Sequence, residues 1–335
     1  MLRGLREFDP VIAELARNAE RHFGFSPVHI APLRRIDGRY SSVLNVRICA
    51  RDRRSTAYIK VFRPRDGSPS ELARVHRFLR REFRAASALH DAFADQDDVG
   101  ALRPIACMPE HRAIVTEEVS GRPFGELLAN PSSPAREIHD AARRIGRWVL
   151  AYQRAVPGHG DVLLAERRAY LDERLQMLES RILSPGERSD VLDRFDTLAA
   201  AIGWPSVPAT AIHADLTPMN VLVGHDGRVT VLDFTMAKVG TALHDLAHMY
   251  FHVASFGARR RARRPLAAAV QTAILDGYDP TLSPDDPLFR LMLWQHAVCH
   301  IAMLAERRVP LGQTAYHWYL RRRWTQVSSL AAGAV

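Results

Sequence analysis

The sequence predicts an α+β protein of two lobes. The N-terminal lobe is a small antiparallel sheet with one long helix, and the C-terminal lobe is larger and mainly helical. Three observations carry this. Strand-like segments follow one another between residues 28 and 62, and a long helical pattern occupies 70–93. From residue 120 onward the pattern is mostly helical, interrupted between 212 and 234.

The elements follow in order. Residues 8–23 repeat Phe8, Ile12, Leu15, Ala16 and Ala19 at helical spacing. VHIAPLRRI (28–36), VLNVRICA (43–50) and TAYIKVF (56–62) have the length and β-branched content of an antiparallel meander, joined by DGRYSS and RDRRS. Pro64, Gly67 and Pro69 break the chain before SELARVHRFLRREFRAASALHDAF (70–93), a helix that opens on a serine cap. LRPIACM and AIVTEEV read as two further strands. The lobes should join near Glu117–Gly121, which divides the chain into 1–118 and 119–335. There is no internal repeat.

Composition bounds the function classes. Of 335 residues, 47% are hydrophobic and 25% charged, as in ordinary globular proteins. No uninterrupted apolar run reaches the roughly 18 residues of a spanning helix. The N-terminus is amphipathic and lacks the apolar middle of a signal peptide. Cys49, Cys107 and Cys299 have no metal spacing and are expected to be free thiols in a reducing cytoplasm. The net charge of +9 invites a nucleic-acid reading. Only Lys60 and Lys238 are lysines, however, so 44 of the 46 basic residues are arginine. Such a skew fits genomic base composition, and nucleic acid is not the expected partner. It also makes Lys60 stand out.

The interruption at 212–234 carries the chemistry. IHADLTPMNVLV reads as strand, loop and strand, and Asp226-Gly227 turns the chain into VTVLDF. Asp215 and Asn220 then end one tight loop stiffened by Pro218, and Asp233 ends the returning strand. Two acids and an amide in a small volume suit Mg²⁺, which takes few carboxylates together with phosphate oxygens and water. The remaining acid can accept or orient a hydroxyl proton, as phosphoryl transfer from a nucleotide requires. Such a site needs a cation on the phosphates. Lys60 offers one within an apolar strand, where it needs an anionic partner. Glu82, in the middle of the long helix, fits that role better than Glu71, whose place at the helix start suits first-turn charge. TEEVSG (116–121) lies where an adenine-binding hinge would be.

The ordered set His213, Asp215, Asn220, then Leu232–Phe234, with Lys60 and Glu82 upstream, resembles the protein-kinase-like superfamily. HADLTPMNVLV, DFTMA and Asp245-Leu246-Ala247 are similar to the aminoglycoside phosphotransferase and choline kinase branch, over roughly residues 28–250. The resemblance implies a bilobal protein-kinase-like fold and ATP-dependent, Mg²⁺-assisted transfer to a hydroxyl of a small molecule. It also implies that Asp215 is the catalytic base, that Asn220 and Asp233 bind the metal, and that Lys60 contacts the α/β-phosphates. Glu117 and Val119 would offer backbone groups to adenine, while His213 and Asp245 would brace the loop. Three departures matter. Thr235 stands where the glycine of a DFG motif would be, which is common in this branch and removes an activation-loop style switch from consideration. Thr217 stands where a His or Lys is common, and Gly38 is the phosphate loop's one glycine, leaving Ser41, Ser42 and backbone N–H groups to cover the phosphates.

Other features have two readings. His244, His248 and His252, then His296 and His300, recur every fourth residue. Such pairs can bind zinc, but no cysteine cluster or HExxH accompanies them, and packed or substrate-facing histidines fit better. ARRRARRP (258–265) and LRRRW (320–324) are solvated faces or receive an anion. From residue 240 onward there are 11 Arg against 6 acids, which shifts weight away from polycationic aminoglycosides and admits an anionic acceptor, with a local acidic pocket at Asp276, Asp279, Asp285 and Asp286 as the alternative. A kinase of a protein, lipid or saccharide head group, and a nucleotide-binding module without catalysis, stay open as alternatives.

Overall fold

A computed structural model describes residues 5–38, 40–51, 53–179, 183–259, 261–306, 321–322 and 324–325. The chain divides into two compact units, Met1–Arg122 with Leu222–Ala237, and Pro123–Val221 with Lys238–Val335. The sequence placed the division at 118/119 and gave 222–237 to the C-terminal lobe. In the structure the hairpin at 222–237 belongs to the first unit. The α+β character, with an antiparallel sheet first and helices later, is as expected.

The first unit begins with helices α1 (Asp9–Arg17) and α2 (Ala19–Phe23), so the single helical pattern of 8–23 is split at Asn18. Strands β1 (His29–Asp37), β2 (Ser41–Ala50) and β3 (Arg53–Phe62) form the meander, and α3 (Pro69–Ala92) follows. The α3 cap is Ser68, whose hydroxyl accepts from the Glu71 N–H at 3.3 Å, rather than Ser70. The helix starts one residue earlier than its apolar pattern because Pro69 is pre-set for the first turn. After the short β4 (Val99–Gly100) come β5 (Pro104–Met108) and β6 (Ala113–Glu117). The main sheet has the order β1-β2-β3-β6-β5, with all four neighbouring pairs antiparallel. Phe8, Val11 and Leu15 of the N-terminal segment are fully buried with Leu44, Val46, Ile48 and Ile59 of the sheet. Each such side chain contributes about 1.5–3 kcal/mol by leaving water.

The chain crosses units at β7 (Arg122–Pro123). The second unit holds α4 (Phe124–Ala129), α5 (Ala135–Ala155), β8 (Asp161–Leu163), α6 (Leu164–Glu179), α7 (Pro185–Ile202) and β9 (Ser206–Ile212). Next come β10 (Val221–Val223) and β11 (Val229–Val231), and β11 pairs with β4 in parallel. The second unit resumes with β12 (Lys238–Thr241), α8 (His244–Arg259), α9 (Arg264–Tyr278) and α10 (Pro287–Glu306). By length and composition α10 could cross a membrane, but 67% of its apolar window is buried among the other helices, as in a core helix. Of the run at 320–324, residues 320 and 323 lie outside the described residues, as do the side chains of 258–261.

Candidate active site

In the first unit, strand and helix patterning brings an acid to a base. Ala57, Ile59 and Val61 alternate into one core, so Lys60 points from the opposite face of β3. On α3, Val75, Leu79, Ala86 and Leu89 form a buried stripe at spacings of 3, 4 and 7, and Glu82 lies within it. A carboxylate there needs a cation. Lys60 Nζ donates to Glu82 Oε2 at 2.8 Å and to Oε1 at 3.0 Å. It also donates to Asp233 Oδ1 at 2.9 Å. Glu71 is elsewhere: it accepts from the Arg65 N–H at 2.8 Å and from Arg74. That separates the two helix acids as the sequence suggested.

The charges respond to this environment. Burial alone would lower the Lys60 pKa, but the attraction of Glu82 and Asp233 outweighs it and holds the ammonium charged. For Glu82, burial is the largest influence and pushes the pKa up, against the pull of Lys60. Asp233 also feels burial first, yet Lys60 and Thr235 bring it below its usual value.

Asp233 sits two residues beyond β11 in the left-handed region, at φ 66, and caps the 3₁₀ turn Phe234–Met236 through the Thr235 N–H. Its Oδ1 collects Lys60 Nζ, the Thr235 N–H at 3.4 Å and the Thr235 hydroxyl at 2.5 Å. One carboxylate oxygen is therefore anchored, while the other, Oδ2, carries no hydrogen bond from the described residues. An oxygen-only donor of this kind fits a hard cation such as Mg²⁺.

The phosphate-loop candidates lie at the β1–β2 hairpin. The Gly38 N–H donates to the Ser41 carbonyl at 2.8 Å, closing the turn. Ser42 is fully buried and its hydroxyl donates to Asp37 at 2.7 Å, so that side chain holds the hairpin together. Asp37 is tied in turn to Arg35 and Arg63, and these bonds bring its pKa down to about 2. At the end of β6, the Glu117 N–H donates to the Arg103 carbonyl at 2.9 Å. Val119 lines a cavity of about 400 Å³ with His90, Phe93, Gly100 and Thr230.

In the second unit, β9 delivers His213, Asp215 and Asn220 in sequence. Asn220 ends the 3₁₀ turn Pro218–Asn220. Its Nδ2 donates to the Asp215 carbonyl at 2.9 Å and to Asp215 Oδ2 at 3.1 Å. Both amide protons are thus spent on Asp215, and Oδ1 is the end that can meet a cation. The Asp215 N–H donates to His213 Nδ1 at 3.3 Å, so His213, fully buried, accepts there and braces the loop. Ala214 takes φ 62, a strained value for a residue with a Cβ. Asp245 holds it: the His213 N–H donates to Oδ2 at 2.6 Å and the Ala214 N–H to Oδ1 at 2.9 Å. Burial pushes the Asp245 pKa up to about 6, with the two N–H groups pulling the other way.

The structure brings Lys60, Glu82 and Asp233 together in the first unit, and Asp215, Asn220, His213 and Asp245 in the second. Sequence reasoning missed Thr235 as a participant. Its hydroxyl also lies 2.7 Å from Glu82 Oε2 and 3.3 Å from Lys60 Nζ. Arg81 was missed too; its Nη1 donates to the Thr235 carbonyl at 3.2 Å. Their signal was present in the i−1 position to Glu82 and in the polar residue where a glycine was awaited. The histidines pack between α8 and α10: His248 stacks on His296 at 4.5 Å and its Nε2 lies 3.1 Å from that of His252. His296 Nε2 donates to the His244 carbonyl at 2.9 Å. Among the described residues, three metal-ligating side chains come together only at Glu14, Glu110 and His111, in the first unit, and not at these rings.

Comparison with known proteins bears on this geometry. A profile of the phosphotransferase enzyme family matches residues 33–282. Curated proteins give no significant match. Among solved structures, the chain is similar to macrolide 2'-phosphotransferase MphH from Brachybacterium faecium, with TM-score 0.56 and 18% identity, over 94% of this chain and 98% of that one. A choline/ethanolamine kinase family protein from Mesorhizobium loti gives TM-score 0.52 at 16% identity, over 96% and 94%. The amicoumacin kinase hAmiN, solved with AMP-PNP, Ca²⁺ and Ami, gives TM-score 0.56 at 13% identity, over 97% and 94%. At such identities these structures share the fold. The profile spans well over half of the chain, and the chain belongs to the phosphotransferase enzyme family.

Proposed function

We propose that this enzyme transfers the γ-phosphoryl group of ATP to a hydroxyl of a small molecule, with Mg²⁺ as cofactor. The observation that carries the reading is the buried Lys60–Glu82 pair with Asp233 2.9 Å from the same ammonium. It is a fixed cation beside a carboxylate with one oxygen to spare, in a family of phosphotransferases. The complex of hAmiN with AMP-PNP supports a nucleotide as donor.

In this reading each residue has one task. Lys60 binds the α/β-phosphates, and Glu82 keeps it extended and charged. Asp233 and Asn220 would hold Mg²⁺, which when bound neutralises phosphate charge. Glu117 and Val119 receive adenine, and the hairpin at Gly38, Ser41 and Ser42 covers the phosphates mainly through backbone N–H groups. Asp215 orients the acceptor hydroxyl and takes its proton as the oxygen bonds to phosphorus and ADP leaves. Asn220 and Asp245 keep Asp215 aimed. The 11 arginines after residue 240 favour an acceptor that is not polycationic. The three free thiols fit a cytoplasmic enzyme.

The test is a screen of ATP consumption over amino alcohols, sugars, nucleosides and macrolide and aminoglycoside antibiotics, with Asp215→Asn as control. Turnover with one class, lost in Asp215→Asn while nucleotide affinity stays within a few-fold, supports the assignment. Undiminished turnover in that variant contradicts it.

A further inference from the structure

Thr235 occupies the place where a glycine follows Asp-Phe in many kinase-like proteins, and its side chain enters the nucleotide half of the site. Its hydroxyl oxygen has one proton and two lone pairs. Around it stand Asp233 Oδ1 at 2.5 Å, Glu82 Oε2 at 2.7 Å and Lys60 Nζ at 3.3 Å. It can accept from Lys60 and donate to one carboxylate at a time, while Lys60 covers both acids. The same residue's N–H donates to Asp233 Oδ1, and its carbonyl is held by Arg81 on α3. Backbone, hydroxyl and carbonyl thus tie the 3₁₀ turn to Asp233, Glu82 and Arg81. All of these lie in the first unit.

The consequence falls on Asp233. Its backbone is in the left-handed region, which an aspartate adopts when its short carboxylate bonds locally, as Asp233 does to Thr235. Two of the three donors on Oδ1 come from Thr235. A glycine would supply the N–H alone. We propose that Thr235 is a positioning residue that locks the Asp233 carboxylate with Oδ1 inward, on Lys60 and the turn, so that Oδ2 is the oxygen offered to the metal. Lys60 cannot do this alone, because a phosphate competes for it. The hydroxyl is uncharged, so it holds Asp233 when Lys60 turns to the nucleotide. This role rests on the reading of Asp233 as a metal ligand.

Thr235→Ser keeps the hydroxyl, whereas Thr235→Ala and Thr235→Val remove it. Binding of a fluorescent ATP analogue to the full chain is titrated with Mg²⁺. Loss of the hydroxyl should raise the Mg²⁺ concentration for half-maximal binding about tenfold, as expected for a hydrogen bond to a charged group. Metal-free nucleotide binding should change little, and Thr235→Ser should stay within about twofold of the wild type. A merely structural role would weaken both forms of binding equally and would not be rescued by serine; that result overturns the proposal. A second measurement needs no nucleotide. A double-mutant cycle of Thr235→Ala and Asp233→Asn in urea unfolding should show coupling, and additive effects would overturn the proposal. Coupling in the cycle with no Mg²⁺-dependent binding by the wild type would instead count against the kinase reading and leave the Thr235–Asp233 lock standing.

Discussion

Lys60 Nζ lies 2.8 Å from Glu82 Oε2, and both side chains are nearly closed to solvent, at 13% and 5% exposure. The pair joins the C-terminal part of β3 to the middle of α3, 22 residues on. Two charges so placed are costly to separate from water singly and tolerable together.

Lys60→Met is therefore expected to destabilise the fold by about 3–5 kcal/mol, because it leaves the Glu82 carboxylate buried without its cation. Lys60→Met with Glu82→Leu should recover most of that loss and none of the nucleotide affinity. Urea unfolding beside nucleotide titration distinguishes the two effects. Equal stability for the single and the double variant would show that the pair is not coupled.

A second expectation concerns the packing of α5 on α9. A Cβ at Gly146 would meet the Ile274 carbonyl oxygen at 2.1 Å, and one at Gly277 would meet the Arg143 carbonyl at 1.9 Å. Both neighbours are backbone, so neither can swing away. Gly146→Ala and Gly277→Ala should each cost about 1–3 kcal/mol or more, although alanine is the better helix former by about 1 kcal/mol. Thermal unfolding checks the sign: a gain in midpoint for either variant would mean that the helices separate at little cost.

Much of this was legible in the sequence, for definite reasons. The strand pattern around Lys60 and the long helix carrying Glu82 follow from periodicity, and Asp215 and Asn220 meet because the segment between them is short. The α3 cap moved from Ser70 to Ser68 because Pro69 outweighs the apolar pattern at a helix start. The membership of 222–237 in the first unit was not legible, since it rests on tertiary pairing such as β11 with β4, which no local signal encodes. Ser42 was expected to face phosphate; its burial against Asp37 depends on strand register. Thr235 escaped because a residue known for what it replaces says little about what its own hydroxyl reaches.

The histidines between α8 and α10 set the acid limit of stability. Burial, followed by the repulsion of neighbouring rings, holds His244, His248 and His296 well below 6.5, and Arg167 and Lys238 add to this at His244. The unfolded chain takes up these protons first as pH falls. The stability is full above about 6.5 and is lost below it. His248→Phe should flatten the fall in urea midpoint between pH 6.5 and 5 by about one proton's share. An unchanged slope would mean that the ring is charged in the folded protein.

Asp245 acts in the opposite sense, and that makes it separable. Its pKa rises from 3.8 to about 6, chiefly through burial, although two backbone N–H groups favour its charge. A carboxyl raised on folding binds its proton more tightly in the native state. Its contribution is complete below about 4 and is lost as pH rises through about 6, a change of about 3 kcal/mol. Asp245→Asn removes the titration. It also gives up one of two acceptors for the His213 and Ala214 N–H groups, a cost of about 1–3 kcal/mol at every pH. Relative to the wild type, the variant should therefore be most destabilised near pH 4 and least above pH 7. Because Ala214 holds φ 62 only against these bonds, the same variant should lose turnover through Asp215 with nucleotide affinity kept. Unfolding curves at pH 4 and 7.5, read beside turnover at pH 7.5, test both statements, and a pH-independent difference would place the Asp245 pKa back in the ordinary carboxylate range.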